Sequence, residues 1–316
     1  MRPVRVGPRL ATALCLLGSL GTGCGDGKKT FPPMDPFAGL PPDSTRIEVR
    51  RVFDGRSPSI SPNGQSVAFL GWNDVFVYDI HAGTTRRVCD ACSPSAVAWS
   101  PTGTALAFNA SDYTAMWNRI WVVRADGSGL RKLDDRGVDD QHPIWSRDGS
   151  SLVWTRLNRL WQADTMGAGG RFLTRQRSGD TIQVARGWSS DGSRLLYLEG
   201  TTRGDDFRLR SVGRDSSDDT AEPSSLPVVT REELGVSPDG ILAYRGGWSA
   251  IEFYALGVQG RTRRLLLPVD SWIVSISNDR SMAAFDNRNQ DQEDPRIYLA
   301  RLTRGNASDS ALAGRP

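Results

Sequence analysis

A four-residue turn recurs along this chain at a spacing that few folds can accommodate. Ser61-Pro62-Asn63-Gly64, Ser100-Pro101-Thr102-Gly103, Ser146-Arg147-Asp148-Gly149, Ser189-Ser190-Asp191-Gly192 and Ser237-Pro238-Asp239-Gly240 share one pattern, and Ser277-Asn278-Asp279-Arg280 is a degenerate sixth. Successive copies begin 39, 46, 43, 48 and 40 residues apart, the length of one four-stranded propeller blade. The turn has its own chemistry: Pro presets φ, Asn or Asp can bond its own backbone, and Gly accepts positive φ.

Four further columns keep this register. Ile60, Trp99, Trp145, Trp188, Val236 and Ile276 stand immediately before the turns. A strand then ends on an aromatic: Phe69, Phe108, Trp154, Tyr197, Tyr244 and Phe285. The next opens on Val75, Ile120, Leu160, Phe207, Ile251 and Ile297, followed two residues later by Val77, Val122, Gln162, Leu209, Phe253 and Leu299. A period of two is that of a half-buried strand. Lettering the strands A to D from the axis outward, D strands are predicted over 84–88, 129–133, 170–174, 226–230 and 261–267. The sixth repeat lacks one, and the segment 46–53 near the other end supplies it. Such closure removes the exposed sheet edges that an open ring would leave. The expected fold is all-β, a six-bladed β-propeller over residues 46–304, closed by an N-terminal strand completing the last blade.

These repeats resemble the TolB-type propeller repeat, a WD40-like unit built on a Ser-Pro-Asp-Gly turn, an apolar strand ending in Phe or Tyr, and an Ile-Tyr-Val-like strand. The resemblance covers about 260 residues. It implies the fold and leaves the function open, because similar repeats occur in periplasmic scaffolds and beside hydrolase domains. TolB itself carries an α/β domain before its propeller, and only the Pro-rich segment 25–43 precedes this one, so the chain is expected to be a relative and not TolB itself.

The first two dozen residues differ in kind. Arg2, Arg5 and Arg9 precede a short apolar run, 10–20, and Gly21, Thr22 and Gly23 lead to Cys24. This is the layout of an export signal, and it resembles the bacterial lipoprotein signal, with Gly21 where that signal usually carries Leu. The resemblance implies cleavage of residues 1–23, lipidation of Cys24, and a lipid-anchored Pro-rich tether over 24–45, with a disordered tail over 305–316. The implied location is the bacterial cell envelope, with a lean toward the outer membrane facing the periplasm. Removing three arginines from 39 basic residues leaves 36 against 36 acidic ones. A neutral surface gives no counterion-release drive, so no nucleic-acid partner is expected.

Catalytic motifs are sparse. The two histidines, His81 and His142, form no HExxH or zinc-spaced cluster, and no Gly-x-Ser-x-Gly elbow occurs. The carboxylate pairs Asp134-Asp135, Asp139-Asp140, Asp205-Asp206 and Asp218-Asp219 fall in connections, where solvated loop charge is the plain expectation. Asp139 and Asp140 differ, because with His142 they lead into an innermost strand at the mouth of the axial channel. Carboxylates there could hold a cation such as Ca²⁺; no other cofactor is expected. Cys89 and Cys92 form a CxxC in a D–A loop, read as a structural disulfide of an oxidising compartment.

In a propeller the B–C and D–A loops share one face and the A–B and C–D turns the other. The B–C loops carry Trp72 beside Asn73 and Asp74, then Tyr113 and Trp117, then Trp248, which is the composition of a recognition surface. The expectation is therefore a monomeric envelope lipoprotein that binds a protein or cell-wall component through this face and catalyses nothing. Two alternatives stay open: a carbohydrate-active enzyme using channel-mouth carboxylates, and an extracytoplasmic sensor binding a ligand or cation in its channel.

Overall fold

The computed structural model describes residues 35–302, apart from 91, 112–116, 134–137, 205, 223–225, 227–228, 230–233, 257–260 and 288–294. Cys24, Tyr113, the Asp134-Asp135 pair and the predicted signal and tail lie outside the described residues. Within them every regular element is a β-strand, arranged in six antiparallel blades. Blade one comprises Arg56–Ile60, Ser66–Leu70, Val75–Asp79 and Thr84–Cys89, and blade two Pro94–Trp99, Ala105–Ser111, Asn118–Arg124 and Arg131–Lys132. Blade three is Asp140–Trp145, Ser151–Arg156, Arg159–Asp164 and Arg171–Phe172; blade four is Thr181–Trp188, Arg194–Thr201, Arg208–Gly213 and Thr220–Ala221. Blade five holds Leu234–Val236, Leu242–Gly247, Ala250–Ala255 and Thr262–Leu266. Blade six holds Val274–Ile276, Met282–Asn287 and Arg296–Arg301, completed by Val49–Asp54 from the other end of the chain. The fold is the six-bladed propeller that the repeat implies.

The repeated turn is one hydrogen-bonded cage, built six times. Each serine hydroxyl accepts the amide five residues on, at 2.9–3.0 Å. In five copies it donates to the Asn or Asp two residues on, at 2.6–2.7 Å; in blade two Thr102 takes that place. The fourth residue's amide closes on the serine carbonyl at 2.8–2.9 Å, with the five glycines near φ +70. Arg280 stands where the sixth turn lacks Gly and adopts φ 57, a conformation costing an L-residue roughly 1–2 kcal/mol. Its buried guanidinium offsets this by donating to the carbonyl of Pro36 at 2.6 Å and to Asp239 of the neighbouring turn.

Between neighbouring blades lie six apolar cores, with no common centre. Side chains on a strand alternate between its two faces, so each B strand serves two of them. In blade one Val67 and Phe69 face blade six while Ala68 and Leu70 face blade two. One aromatic column breaks this register. Phe69, Phe108, Trp154, Tyr197 and Phe285 each follow their turn serine by eight residues, whereas Tyr244 follows by seven. A one-residue offset reverses the face, and Tyr244 accordingly packs toward blade six and reaches the channel wall. Its ring crosses Gly235 so closely that a Cβ there would stand 2.4 Å from it.

The N-terminal strand also departs from expectation. The segment 46–53 divides between two blades. Thr45–Arg46 runs parallel along the outer edge of blade five, Ile47 enters the core between blades five and six, and only Val49–Asp54 is the outer strand of blade six. The tether reading ends earlier too. From Asp35 the chain packs against blade five, because Phe37 and Leu40 have an apolar core to enter and Arg263 donates to both of their carbonyls. In blade four the outer strand is Thr220–Ala221, and within the expected 226–230 Val229 bridges to Phe207.

The cage sets two expectations. Ser146→Ala removes the acceptor of a buried amide and should cost about 1–2 kcal/mol, read as a lower urea midpoint. Asp191 accepts from the Ser189 hydroxyl and from the amide and hydroxyl of Ser193, which lowers its pKa from 3.8 to about 2. A carboxyl depressed on folding contributes its stability above the unfolded pKa and loses it as pH falls through the folded one. Melting temperature should therefore fall between pH 3.8 and about 2, and Asp191→Asn should flatten that slope; equal slopes would remove the assignment.

Candidate functional site: the B–C/D–A face and the axial channel

On the B–C turns, Trp72, Trp117 and Trp248 stand out into solvent, 78, 49 and 83% exposed. None folds back to cap its blade. Leu157, at the two-residue turn of blade three, is exposed in the same way at 57%. The residue after each of these four is tied to the next inner strand or to the connection that leads into it. The Asn73 carbonyl accepts the Cys92 amide at 2.6 Å and the Ser93 amide at 3.2 Å. Asn118 donates its amide and side chain to Asp139 at 3.1 and 3.0 Å. The Asn158 carbonyl accepts the Gln183 amide at 3.0 Å, and the Ser249 amide donates to Asp270 at 2.8 Å. Cys89 and Cys92 are joined across the loop that braces Trp72, with Cα atoms 6.2 Å apart. Asp74 holds the base of that turn, its carbonyl accepting the Gly71 amide.

The three residues expected together at the channel mouth separate. Asp140 is buried within blade three and pairs with Arg156, whose Nε and Nη2 donate to its two oxygens at 2.7 and 2.5 Å. That guanidinium also lies 4.8 Å from the Trp161 ring and 5.4 Å from that of Trp154. Asp139 is engaged by Asn118 and Gln141. His142 alone reaches the channel. The Ca²⁺ expectation fails on this ground, since the two carboxylates point to different partners; among the described residues no group of three or more Asp, Glu, His or Cys could hold a metal. The solvated-loop expectation is also corrected for Asp219. It accepts from the buried Tyr197 hydroxyl at 2.5 Å and pairs with Arg210 and Arg177 at 3.1 and 3.0 Å. Burial and the Asp219 carboxylate hold the Tyr197 hydroxyl above its ordinary range.

The channel is walled by inner strands whose backbones do not pair with one another. Trp99, Trp145 and Trp188 bridge them, their indole N–H groups donating to the carbonyls of Ser59, Ala98 and Trp145 at 2.8, 3.2 and 3.0 Å. All three line a cavity of about 270 Å³ at the A–B end of the channel. A second cavity, of about 180 Å³, lies toward the D–A end and shares Ala98, Ile144 and Arg186 with the first. Among the described residues no Asp or Glu lines either. Arg186, Ser57 and Ser95 went unnoticed in the sequence because each sits inside a strand with no motif around it; Leu157 could have been found, since a large apolar residue at the tip of a two-residue turn has nothing to pack against.

These features define a closed six-bladed propeller with one aromatic-studded face and a polar axial channel. No family model matches the sequence. An uncharacterised protein of Agrobacterium fabrum is 26% identical over 155 residues, 44% of this chain and 52% of its own length; the chain thus spans about half of that relative. Among solved structures, TolB from Acinetobacter baumannii superposes with a TM-score of 0.55 at 14% identity, over 84% of this chain and 66% of its own. A gluconolactonase from Xanthomonas campestris gives 0.57 at 14%, over 84% and 96%. An oligogalacturonate lyase in complex with manganese gives 0.54 at 15%, over 83% and 80%. At such identities the likeness shows the fold. It also overturns the expectation that this chain catalyses nothing: two of these propellers are enzymes, so the architecture excludes no catalysis, just as it establishes none.

The buried ion pair gives a direct check on where Asp140 acts. Asp140→Ala should cost about 3–5 kcal/mol by stranding Arg156, and adding Arg156→Leu should recover part of it. A single variant with an unchanged urea midpoint would return Asp140 to the channel.

Proposed function

We propose that this chain is a binding propeller of the bacterial cell envelope that acts as a monomer and engages a protein or cell-wall partner through its B–C/D–A face. One observation carries the reading. Of six large apolar side chains exposed among the described residues, four (Trp72, Trp117, Leu157 and Trp248) lie on B–C turns. Each is followed by a residue hydrogen-bonded to the next blade's entry. Leu130 and Met166, the other two, sit on C–D turns of the opposite face. Exposed tryptophans on braced turns are costly to leave in water and inexpensive to order on binding, which is what interface anchors require. The envelope location rests on the export-type segment ending at Cys24, and the lipid expected there would supply the membrane contact.

The test is a cross-linked pull-down of the full chain from its native envelope, beside a Trp72→Ala/Trp117→Ala/Trp248→Ala variant shown by circular dichroism to be folded. The expected result is one saturable partner retained by the native chain and lost by the variant. Equal capture by both would sink the assignment of this face.

A further inference from the structure

Beside each A–B turn the repeat brings the same positions together, and the blades occupy them differently. The residue whose amide bonds the turn serine is Ser66 in blade one, Ser151 in blade three and Arg194 in blade four. On the neighbouring strands stand the registered pairs Val77 and Arg86, Gln162 and Arg171, and Ser211 and Thr220. In blade four Arg194 spans these positions with the chain's own guanidinium. Its Nε donates to Ser211 Oγ at 2.9 Å, and its Nη2 to the Asp218 carbonyl at 2.6 Å and to Thr220 Oγ1 at 3.0 Å. In blade three the Gln162 carboxamide takes this part, donating to Ser151 Oγ at 2.9 Å. Blade one carries Ser66 and Val77 there, both too short to reach across. A cleft of about 520 Å³ remains between blades one and two, within the range of about 300–1,000 Å³ typical of ligand pockets.

Two carboxylates meet in this cleft. Asp79 stands where blade four has Gly213, and Asp126 enters from the C–D turn of blade two. Asp79 Oδ1 accepts the His81 and Ala82 amides at 2.9 and 2.8 Å. Asp126 Oδ1 accepts the amide and hydroxyl of Ser128 at 2.8 and 2.7 Å. Each carboxylate is thus fixed through one oxygen and has the other to offer. Val77 and Trp99 supply an apolar floor. Among the described residues that line the cleft Arg86 is the one cation, and its Nη1 donates across to the Ala125 carbonyl at 3.2 Å. Arg131 and Arg171 cross in the same way to Thr165 and Arg214 in the next two gaps. We infer that this cleft binds the guanidinium of an arginine side chain presented by a partner polypeptide. Its planar fork donates to Asp79 and Asp126, and its methylenes lie along Val77 and Trp99. Arg194 shows the fit of such a group at these positions in blade four. A side chain suits the site better than a whole small molecule, because Thr84, Thr85, Arg86 and Asp126 at its rim are exposed.

Isothermal titration calorimetry on the full chain tests this with three probes: Nα-acetyl-L-arginine methylamide, its citrulline counterpart, which keeps the shape without the charge, and its lysine counterpart. The arginine probe is expected to bind saturably, the lysine probe at least about tenfold more weakly, and the citrulline probe to give no heat of binding. Asp79→Asn keeps an oxygen to hold its turn and should weaken the arginine probe at least about tenfold, the loss of one charge-assisted contact. Ser66→Arg gives blade one the side chain that blade four carries and should abolish binding with the circular dichroism spectrum unchanged. Silence toward the arginine probe up to about 10 mM, beyond the millimolar end of the affinity scale, would overturn the site. So would unchanged binding in both variants. Equal binding of the lysine probe would remove the guanidinium assignment, and tighter binding of free L-arginine the polypeptide that carries it. The Trp72→Ala/Trp117→Ala/Trp248→Ala variant should bind the probe unchanged, because its substitutions lie on the opposite face; loss there would move the site to that face.

Discussion

A single serine hydroxyl, repeated at each A–B turn, fixes the register on which everything else in this molecule rests. It accepts the amide that opens the B strand and, in five blades, donates to an Asn or Asp that bonds the turn's own backbone. The strand that leaves this cage is buried on both faces, and its successive residues belong to different cores. A turn one residue longer would send every large side chain into the wrong neighbour. Tyr244 is the local exception, and Gly235 is the accommodation that makes it possible.

The architecture was readable from the sequence because its signals are local and repeated. Turn, strand and period each depend on residues close in the chain, and six copies average out the noise. Misreadings arose where a residue answers to something distant. Asp140 looks like a loop acid until Arg156, sixteen residues on, is seen to receive it. Arg46 looks continuous with Val49, yet Ile47 turns into the core and divides the strand between two blades. Phe37 and Leu40 lie in a stretch whose prolines suggest a spacer, and what captures them is an outer strand more than two hundred residues away. The recognition face was half visible: tryptophans in loops can be seen in a sequence, their bracing cannot. The shape of the channel was invisible, since a bulge, such as the break between Ala185 and Gly187, is a property of two paired strands.

Face and channel answer to different physics. The face gathers apolar side chains where water reaches them, on turns already held in place. The channel, among the described residues, sets a few polar side chains into a wall of aliphatic and indole surface. Propellers alike only in architecture include a lyase and a lactonase, and a fold does not fix the chemistry it carries. The three indole bridges tie inner strands together on the wall of the channel's A–B end, apart from the B–C turns.

The way the ring closes has a consequence for how it forms. Val49 pairs with Ala300, so a strand made early must wait for nearly the whole propeller before its partner exists. Five blades can assemble from contacts within their own repeats, and the sixth cannot. The closing step therefore carries the entropy of joining a loop of some 250 residues, about 1.5 RT per logarithmic unit of length, and folding is slow where such distant pairing governs it. Until then the Arg296–Arg301 strand is an open edge, and the newly made protein depends for its solubility on how briefly that edge stays uncovered.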